Sequence, residues 1–277
     1  MAQRLTSNSP APAPDESFLA RSPRPVALVL AAVVSLGVVA VPSWARAPGP
    51  ADSPKAKAPD TLKPDTGSLL VEYYETYLRT RDLEAFTHQV PARFTREGLA
   101  RLVESPDGQT RRAAIFALGL FGGIEDNALL ARALRDDNPN VRSLAEGALW
   151  AVWFRADTPE NNQTLEQVRS LIGDRRLDEA IRLADRLIDR SPKFAEAYNQ
   201  RAIAEFFLGR FDASAADCRR VLEHNPYHIG ALGGLAQCEI RLNRRADALK
   251  TYRRALKLQP HSEGIREMIA LLESMFD

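Results

Sequence analysis

The chain has 277 residues, of which 45% are hydrophobic and 26% are charged, and this composition is typical of globular proteins with one or two domains. Its 37 basic and 36 acidic residues leave a formal net charge of +1, which excludes a molecule built as a whole to neutralise a polyanion. Two cysteines exclude a disulfide framework.

The first 45 residues have the layout of an export signal. Arg4, Arg21 and Arg24 precede the uncharged run VALVLAAVVSLGVVAV at 26–41. The small residues Ser43 and Ala45 suit cleavage after Ala45. A second interpretation, that the segment is retained as a membrane anchor, stays open because the run approaches the length that spans a bilayer. Both alternatives predict that the chain is exported, either periplasmic or otherwise extracytoplasmic, and secreted or anchored by this segment.

Residues 46–66 are rich in proline and alanine and lack apolar periodicity, so we expect a linker there. From Gly67 onward apolar residues recur at helical spacing, as at Leu69, Tyr73 and Tyr77, and no alternating strand pattern occurs. The body of the protein is therefore predicted to be all-α.

An internal repeat with an offset of 31 residues lies in the first helical block, which we delimit as 67–158. LARLVESPDGQTRRAAIFALGLFG at 99–122 aligns without gaps with LARALRDDNPNVRSLAEGALWAVW at 130–153. This pair resembles short HEAT repeats of the phycobilisome-lyase type. The resemblance implies a structural role for Arg142, tying one repeat to its neighbour. The aromatic cluster of Trp150, Trp153 and Phe154 is expected at the joint with the following block.

A second repeat, with a period of 34 residues, runs from 161 to 277. Its phase is marked by Pro192, Pro226 and Pro260, and each copy resembles a tetratricopeptide (TPR) repeat. The resemblance divides the block into repeats 161–194, 195–228 and 229–262 and a capping helix at 263–277. It also predicts small residues where the two helices of each repeat cross, at Val168, Ala202 and Ala236 in the first helix and Ala180, Ser214 and Ala248 in the second, with Ala270 in the cap.

The turn inside each repeat needs a residue that tolerates positive φ. Gly209 and Asn243 meet this need, whereas Arg175 in the first copy is a poorer choice. Together the two blocks predict a right-handed α-solenoid of helical hairpins, with a HEAT pair followed by three TPR repeats and a cap.

The resemblance places a partner-binding groove on the concave side, along the first helix of each repeat. The positions carried over from the family are Leu165, Glu166, Arg169, Ile172, Asn199, Gln200, Ile203, Phe206, Gly233, Gln237, Ile240 and Arg241. The TPR subfamily that clamps a carboxylate would need lysine, asparagine or arginine at Leu165, Arg169, Gln200, Gly230 and Gly234. Only Arg169 is even basic, so that ligand class is rejected. The glycines at 230, 233 and 234 serve either close approach of a ligand or relief of crowding beside Phe206 or Phe207.

A basic surface patch is predicted on the last repeat. Its members are Arg244, Arg245, Lys250, Arg253, Arg254 and Lys257. The patch is either a solvated face or a docking surface for an acidic protein or anionic lipid. No nucleic-acid partner is expected for an exported chain.

We find no catalytic or metal-binding pattern and expect no cofactor. His224, His228 and His261 fall in the turns between repeats, and Asn225-Pro226 breaks the helix between the first two. Cys218 and Cys238 are expected to be buried free thiols, although an oxidising compartment would permit a bond.

The sequence thus predicts a non-enzymatic scaffold, exported or anchored in a membrane, that binds a peptide or protein partner in its TPR groove. Two alternatives stay open: a HEAT-type lyase or enzyme subunit, and an envelope structural protein whose basic face binds anionic surfaces.

Overall fold

A computed structural model describes residues 66–275, and this part of the chain is helical without any strand. The predicted signal or anchor segment, the linker up to residue 65 and the last two residues lie outside the described range. The helices are α1 (Thr66–Thr80), α2 (Leu83–Gln89), α3 (Arg96–Leu102), α4 (Gly108–Phe121), α5 (Asn127–Ala133), α6 (Pro139–Phe154), α7 (Pro159–Gly173), α8 (Leu177–Arg190), α9 (Ala195–Phe207), α10 (Phe211–His224), α11 (Ile229–Arg241), α12 (Arg245–Leu258) and α13 (Glu263–Glu273), with a short 3-10 helix at Ile124–Asp126 between α4 and α5.

The 31-residue repeat of the amino-terminal block is visible in its hydrogen bonds. Asp107 caps α4 and Asn138 caps α6, each by accepting a bond from a backbone N–H of the first turn. Arg111 donates to the carbonyl oxygens of residues 105 and 106, and Arg142 donates in the same way to those of residues 136 and 137. The two copies therefore share one loop geometry as well as one sequence pattern.

The tie between these two copies is made by Arg111 and not, as predicted, by Arg142. The Arg111 guanidinium donates two hydrogen bonds, of 2.7 and 2.9 Å, to the carboxylate of Asp136 in the next copy. Arg142 bonds only to carbonyl oxygens in the loop of its own copy, and it forms no ion pair with a neighbouring copy. The ion pair lowers the pKa of Asp136 although burial opposes this, and it raises the pKa of Arg111.

Helices α7 to α12 form three consecutive hairpins with the predicted small residues at their crossings. Every one of these six side chains is buried. The turn residues Arg175, Gly209 and Asn243 have φ angles of 60, 75 and 58°. The positive φ that was predicted at these positions is confirmed, and Arg175 adopts it without the conformational freedom of glycine.

Helix α13 closes the array. Met268 and Leu272 are buried against Ala236, Ala248 and Tyr252 of the third repeat. Ala270, predicted at a crossing, is instead exposed, because within the described residues no second helix follows α13 to pack against it.

The two blocks share one hydrophobic core. Helix α6 contributes Trp150, Trp153 and Phe154, which are buried where it meets α9 and α11. Trp153 stacks on His228 with ring centroids 4.2 Å apart, and its indole N–H donates to Asn127. The aromatic cluster therefore lies at the joint between the blocks, as predicted.

Candidate functional site

A pocket opens between helices α9 and α11, the first helices of the second and third repeats. Its cavity volume is about 60 Å³, and it is open to solvent. The pocket is lined by Asn199, Ala202, Ile203, Phe206, Phe207, Ser214, Cys218, Gly230, Gly234 and Gln237. Four of these, Asn199, Ile203, Phe206 and Gln237, are among the twelve groove positions predicted from the sequence.

Two amide side chains in the pocket wall are held in place by internal bonds. Asn199 donates through Nδ2 to Glu196 Oε1 at 2.7 Å, and Gln237 donates through Nε2 to Tyr252 Oη at 2.6 Å. Burial raises the pKa of Tyr252, so its hydroxyl stays protonated throughout the neutral range. The polar groups of the pocket are therefore pre-oriented, which reduces the ordering cost of binding.

The predicted groove positions of the first repeat do not form a continuation of this pocket. Leu165 and Ile172 are buried core residues. Arg169 lies over the ring of Phe154, with its guanidinium carbon 4.2 Å from the centroid, and pairs with Glu166 at 2.7 Å. All four predicted positions of the first repeat therefore make contacts within the protein: two are in the core and two form an ion pair.

The other four predicted positions are not among the residues that line the pocket. Gln200 is buried and donates through Nε2 to Glu196. Ile240 is half-buried against the third repeat and the cap, and Gly233 is half-buried on α11. Arg241 is exposed and lies over the ring of Phe211, 4.6 Å from its centroid.

Close packing explains two of the glycines in α11. A Cβ atom on Gly230 would lie 2.6 Å from Cη2 of Trp150, and one on Gly234 would lie 3.2 Å from the sulfur of Cys218. The crowding at Gly230 therefore comes from the tryptophan of α6 and not from Phe206 or Phe207, the neighbours proposed from the sequence.

A buried polar cluster behind the pocket was missed by the sequence reasoning. The Glu196 carboxylate has no exposed side-chain surface and accepts bonds from Asn199, Gln200 and His228 Nε2, the last at 2.8 Å. Because His228 Nδ1 accepts a bond from the backbone N–H of Ala231, its Nε2 is the nitrogen that carries the proton toward Glu196. The position of His228 just before a helix is the only local signal, since its burial depends on α6.

An aromatic row that borders the pocket was also not recognised as a unit. Phe207, Phe206 and Phe211 follow one another with centroid separations of 6.5 and 5.3 Å, and each ring is half-buried. The guanidinium carbon of Arg175 lies 4.7 Å from the centroid of Phe207, at the opposite end from Arg241. We call these five residues the arginine-flanked phenylalanine row.

The predicted basic patch is exposed, but half of its charges are already paired. Arg244 bonds to Asp212, Lys250 to Asp247 and Arg253 to Glu273, at 2.8, 3.3 and 2.6 Å. Arg254 donates weakly to a backbone carbonyl at 3.4 Å. Arg245 and Lys257 are the other exposed members. The patch is thus less cationic than its sequence indicates.

The two cysteines do not form a disulfide, as expected from the sequence. Cys218 and Cys238 are free and buried, and burial raises the pKa of both thiols. The described residues contain no group of three or more histidine, cysteine, aspartate or glutamate side chains arranged to hold a metal ion. None of the helices described is long and apolar enough to cross a membrane.

The paired helices with a repeated turn geometry have the arrangement of tetratricopeptide repeats. Two matches to the tetratricopeptide repeat family, at residues 165–229 and 208–272, show that the carboxy-terminal part of the chain contains such repeats.

Among characterised sequences, a TPR repeat-containing protein of Rhizobium etli is 26% identical over 144 residues, which is 52% of this chain and 71% of the relative. The solved structures that resemble the chain include the first TPR of Spaghetti bound to an HSP90 peptide, with 22% identity, a TM-score of 0.42 and coverage of 43% of this chain and 95% of that one. Another is the TPR2AB domain of yeast Sti1 in complex with HSP90, with 17% identity, a TM-score of 0.39 and coverage of 75% and 92%.

Proposed function

We propose that this protein is a non-enzymatic scaffold that holds a peptide or protein partner in the groove of its TPR repeats. The observation that carries the proposal is the solvent-open pocket between α9 and α11, which brings together Asn199, Ile203, Phe206 and Gln237. A half-buried apolar floor with a few fixed amides is the arrangement by which helical arrays bind extended or helical segments.

The proposal includes export of the chain, with the segment at 26–41 either removed or retained as an anchor. The supporting features are the arginines before an uncharged run and the proline-rich linker after it, all in the sequence. Mass spectrometry of the mature amino terminus, from cell fractions of the source organism, tests it. A mature chain beginning near residue 46 supports a signal peptide, an intact one in the membrane fraction supports an anchor, and an intact chain in the cytoplasm refutes export.

The groove is tested by comparing two single-residue variants for partner recovery. Phe206→Ala opens the pocket floor, whereas Arg253→Glu changes the exposed face of α12 and leaves the pocket intact. Partners crosslinked in cells and quantified by mass spectrometry should be lost from the Phe206 variant and kept by the Arg253 variant.

The opposite pattern would refute the groove and favour the envelope structural role on anionic surfaces. The thermal unfolding midpoint of each variant must be measured alongside, because loss of a half-buried ring also lowers stability. If the Phe206 variant unfolds at the assay temperature, Ile203→Ala replaces it, since Ile203 is a half-buried residue of the same pocket and its truncation removes less apolar surface.

A further inference from the structure

The five-residue arginine-flanked phenylalanine row carries two positive charges that contact its rings but that no carboxylate among the described residues neutralises. Arg175 and Arg241 stand at its two ends, both exposed, and neither has a carboxylate within ion-pair distance among residues 66–275. The acids closest in sequence do not pair with them: Asp174 forms no ion pair with Arg175, and Glu239, two residues before Arg241, is bonded to Arg219 at 3.3 Å.

Other arginines near the row differ in this respect. Arg210, the chain neighbour of Phe211, pairs with Asp178 and Glu205 at 3.1 and 3.3 Å. Arg169 pairs with Glu166. Among Arg169, Arg175, Arg210 and Arg241, therefore, only the two that end the row lack a carboxylate partner in the described part of the chain.

The aromatic contacts hold these two cations at the surface in defined positions. A guanidinium group stacked on a ring keeps its edge N–H donors free for a planar carboxylate. Between the two arginines, Phe206 and Phe207 form one wall of the pocket that also contains Ile203 and Ala202. A ligand that crosses the row thus meets a cation, an apolar pocket and a second cation in that order.

We infer that the groove selects a peptide segment with a bulky apolar side chain that enters the pocket and with acidic residues on both sides of it that pair with Arg175 and Arg241. The inference rests on the proposed function and adds the chemistry of the partner. It differs from recognition of a terminal carboxylate, because the positions that such recognition needs are occupied here by Leu165, Gln200 and two glycines.

Three labelled peptides of equal length test the pattern by fluorescence anisotropy with the full chain in mild detergent. One has a central leucine between aspartate and glutamate residues, the second has lysines in place of the acids, and the third has alanine in place of the leucine. The acidic leucine peptide should bind best. Loss of two exposed ion pairs weakens binding by about two- to thirtyfold, and loss of the apolar anchor by about tenfold or more.

Matched protein variants separate local pairing from overall charge. Arg175→Asn combined with Arg241→Gln removes two charges from the row, and asparagine is the residue that adopts the same φ at position 243. Arg245→Gln combined with Lys257→Gln removes two exposed charges from α12, neither of which belongs to the row. The first pair should weaken the acidic leucine peptide by about two- to thirtyfold and reduce its salt dependence, and the second should leave both unchanged.

Each contrary result has a definite meaning. Equal affinity for the acidic and lysine peptides, equal loss in both variant pairs, or no binding of the acidic leucine peptide would overturn the inference. If cellular partners are nevertheless lost on Phe206→Ala, the scaffold function stands and only the charge rule fails. If those partners are kept by Phe206→Ala and lost by Arg253→Glu, the proposed function itself fails.

Discussion

Gly230 and Gly264 form a natural pair for testing how the amino-terminal helices press on the TPR array. Each is the second residue of a helix, α11 and α13, and they lie 34 residues apart at the same place in the repeat. A Cβ on Gly230 would meet Trp150 Cη2 at 2.6 Å and Cζ2 at 3.1 Å, whereas one on Gly264 would meet nothing within 4 Å. Alanine at these two positions therefore has the same local effect in different surroundings.

The magnitudes follow from two opposing effects. Alanine favours a helix over glycine by up to about 1 kcal/mol, and at Gly264 nothing offsets this, so Gly264→Ala should stabilise the protein by about 0.4 to 1 kcal/mol. At Gly230 the tryptophan cannot move aside easily, since it stacks on Phe154 and meets Trp153 and His228 edge-on. Overpacking costs about 1 to 3 kcal/mol, so Gly230→Ala should lower the free energy of unfolding by about 1 to 2 kcal/mol.

Urea denaturation followed by circular dichroism and by tryptophan fluorescence measures both changes. The two signals must give the same midpoint before a single free energy of unfolding is extracted. Tryptophan emission should also shift in the Gly230 variant and stay unchanged in the Gly264 variant. If Gly230→Ala raises stability as much as Gly264→Ala does, Trp150 does not press on α11 and the described joint is wrong.

Three further outcomes follow from particular contacts. Arg175→Gly should change the free energy of unfolding by less than about 1 kcal/mol, because relief of the positive φ and loss of the contact with the Phe207 ring oppose each other. Gly209→Ala should lower it by about 1 to 2 kcal/mol, and both changes are read from urea midpoints. An effect of Arg175→Gly as large as that of Gly209→Ala would contradict this. Cys218 should resist alkylation at neutral pH until the protein unfolds, because it is buried and its thiol pKa is raised, and rapid labelling of the native protein by mass spectrometry would contradict that burial. Arg201→Met should lower the free energy of unfolding by about 2 to 3 kcal/mol because it leaves the buried carboxylate of Asp217 unpaired. Adding Asp217→Asn should recover most of this loss. Full additivity of the two changes would show that the pair is not coupled.

Features set by the local chain could be predicted from the sequence. The positive φ at Arg175, Gly209 and Asn243 follows from the repeat register, because every repeat closes its hairpin with the same turn. The burial of the crossing residues follows for a similar reason, since two helices at a close crossing leave room only for small side chains. A 34-residue period thus specifies the backbone of each repeat well.

Features that depend on how distant parts meet could not be predicted. In the sequence His228 is one residue near a turn proline, yet it is fully buried and stacks on Trp153 of α6. Asn127 likewise bonds Asn225 across 98 residues of chain. The predicted groove positions show the same limit. Leu165 and Asn199 occupy equivalent positions in the first and second repeats, yet Leu165 is a core residue and Asn199 is part of a pocket wall. A repeat register indicates which helix face a residue is on, but not what packs over that face.

The joint between the blocks also bears on the groove. Two residues of the pocket wall depend on this joint. Trp150 leaves no room for a side chain at position 230. Asn199 bonds to the Glu196 carboxylate, which also bonds His228, and His228 stacks on Trp153. One hydrophobic core runs from α1 into α12, so the amino-terminal helices and the repeats share their packing. The amino-terminal block therefore helps to define the shape of the pocket, and we expect changes in α6 to alter the binding of the proposed partner.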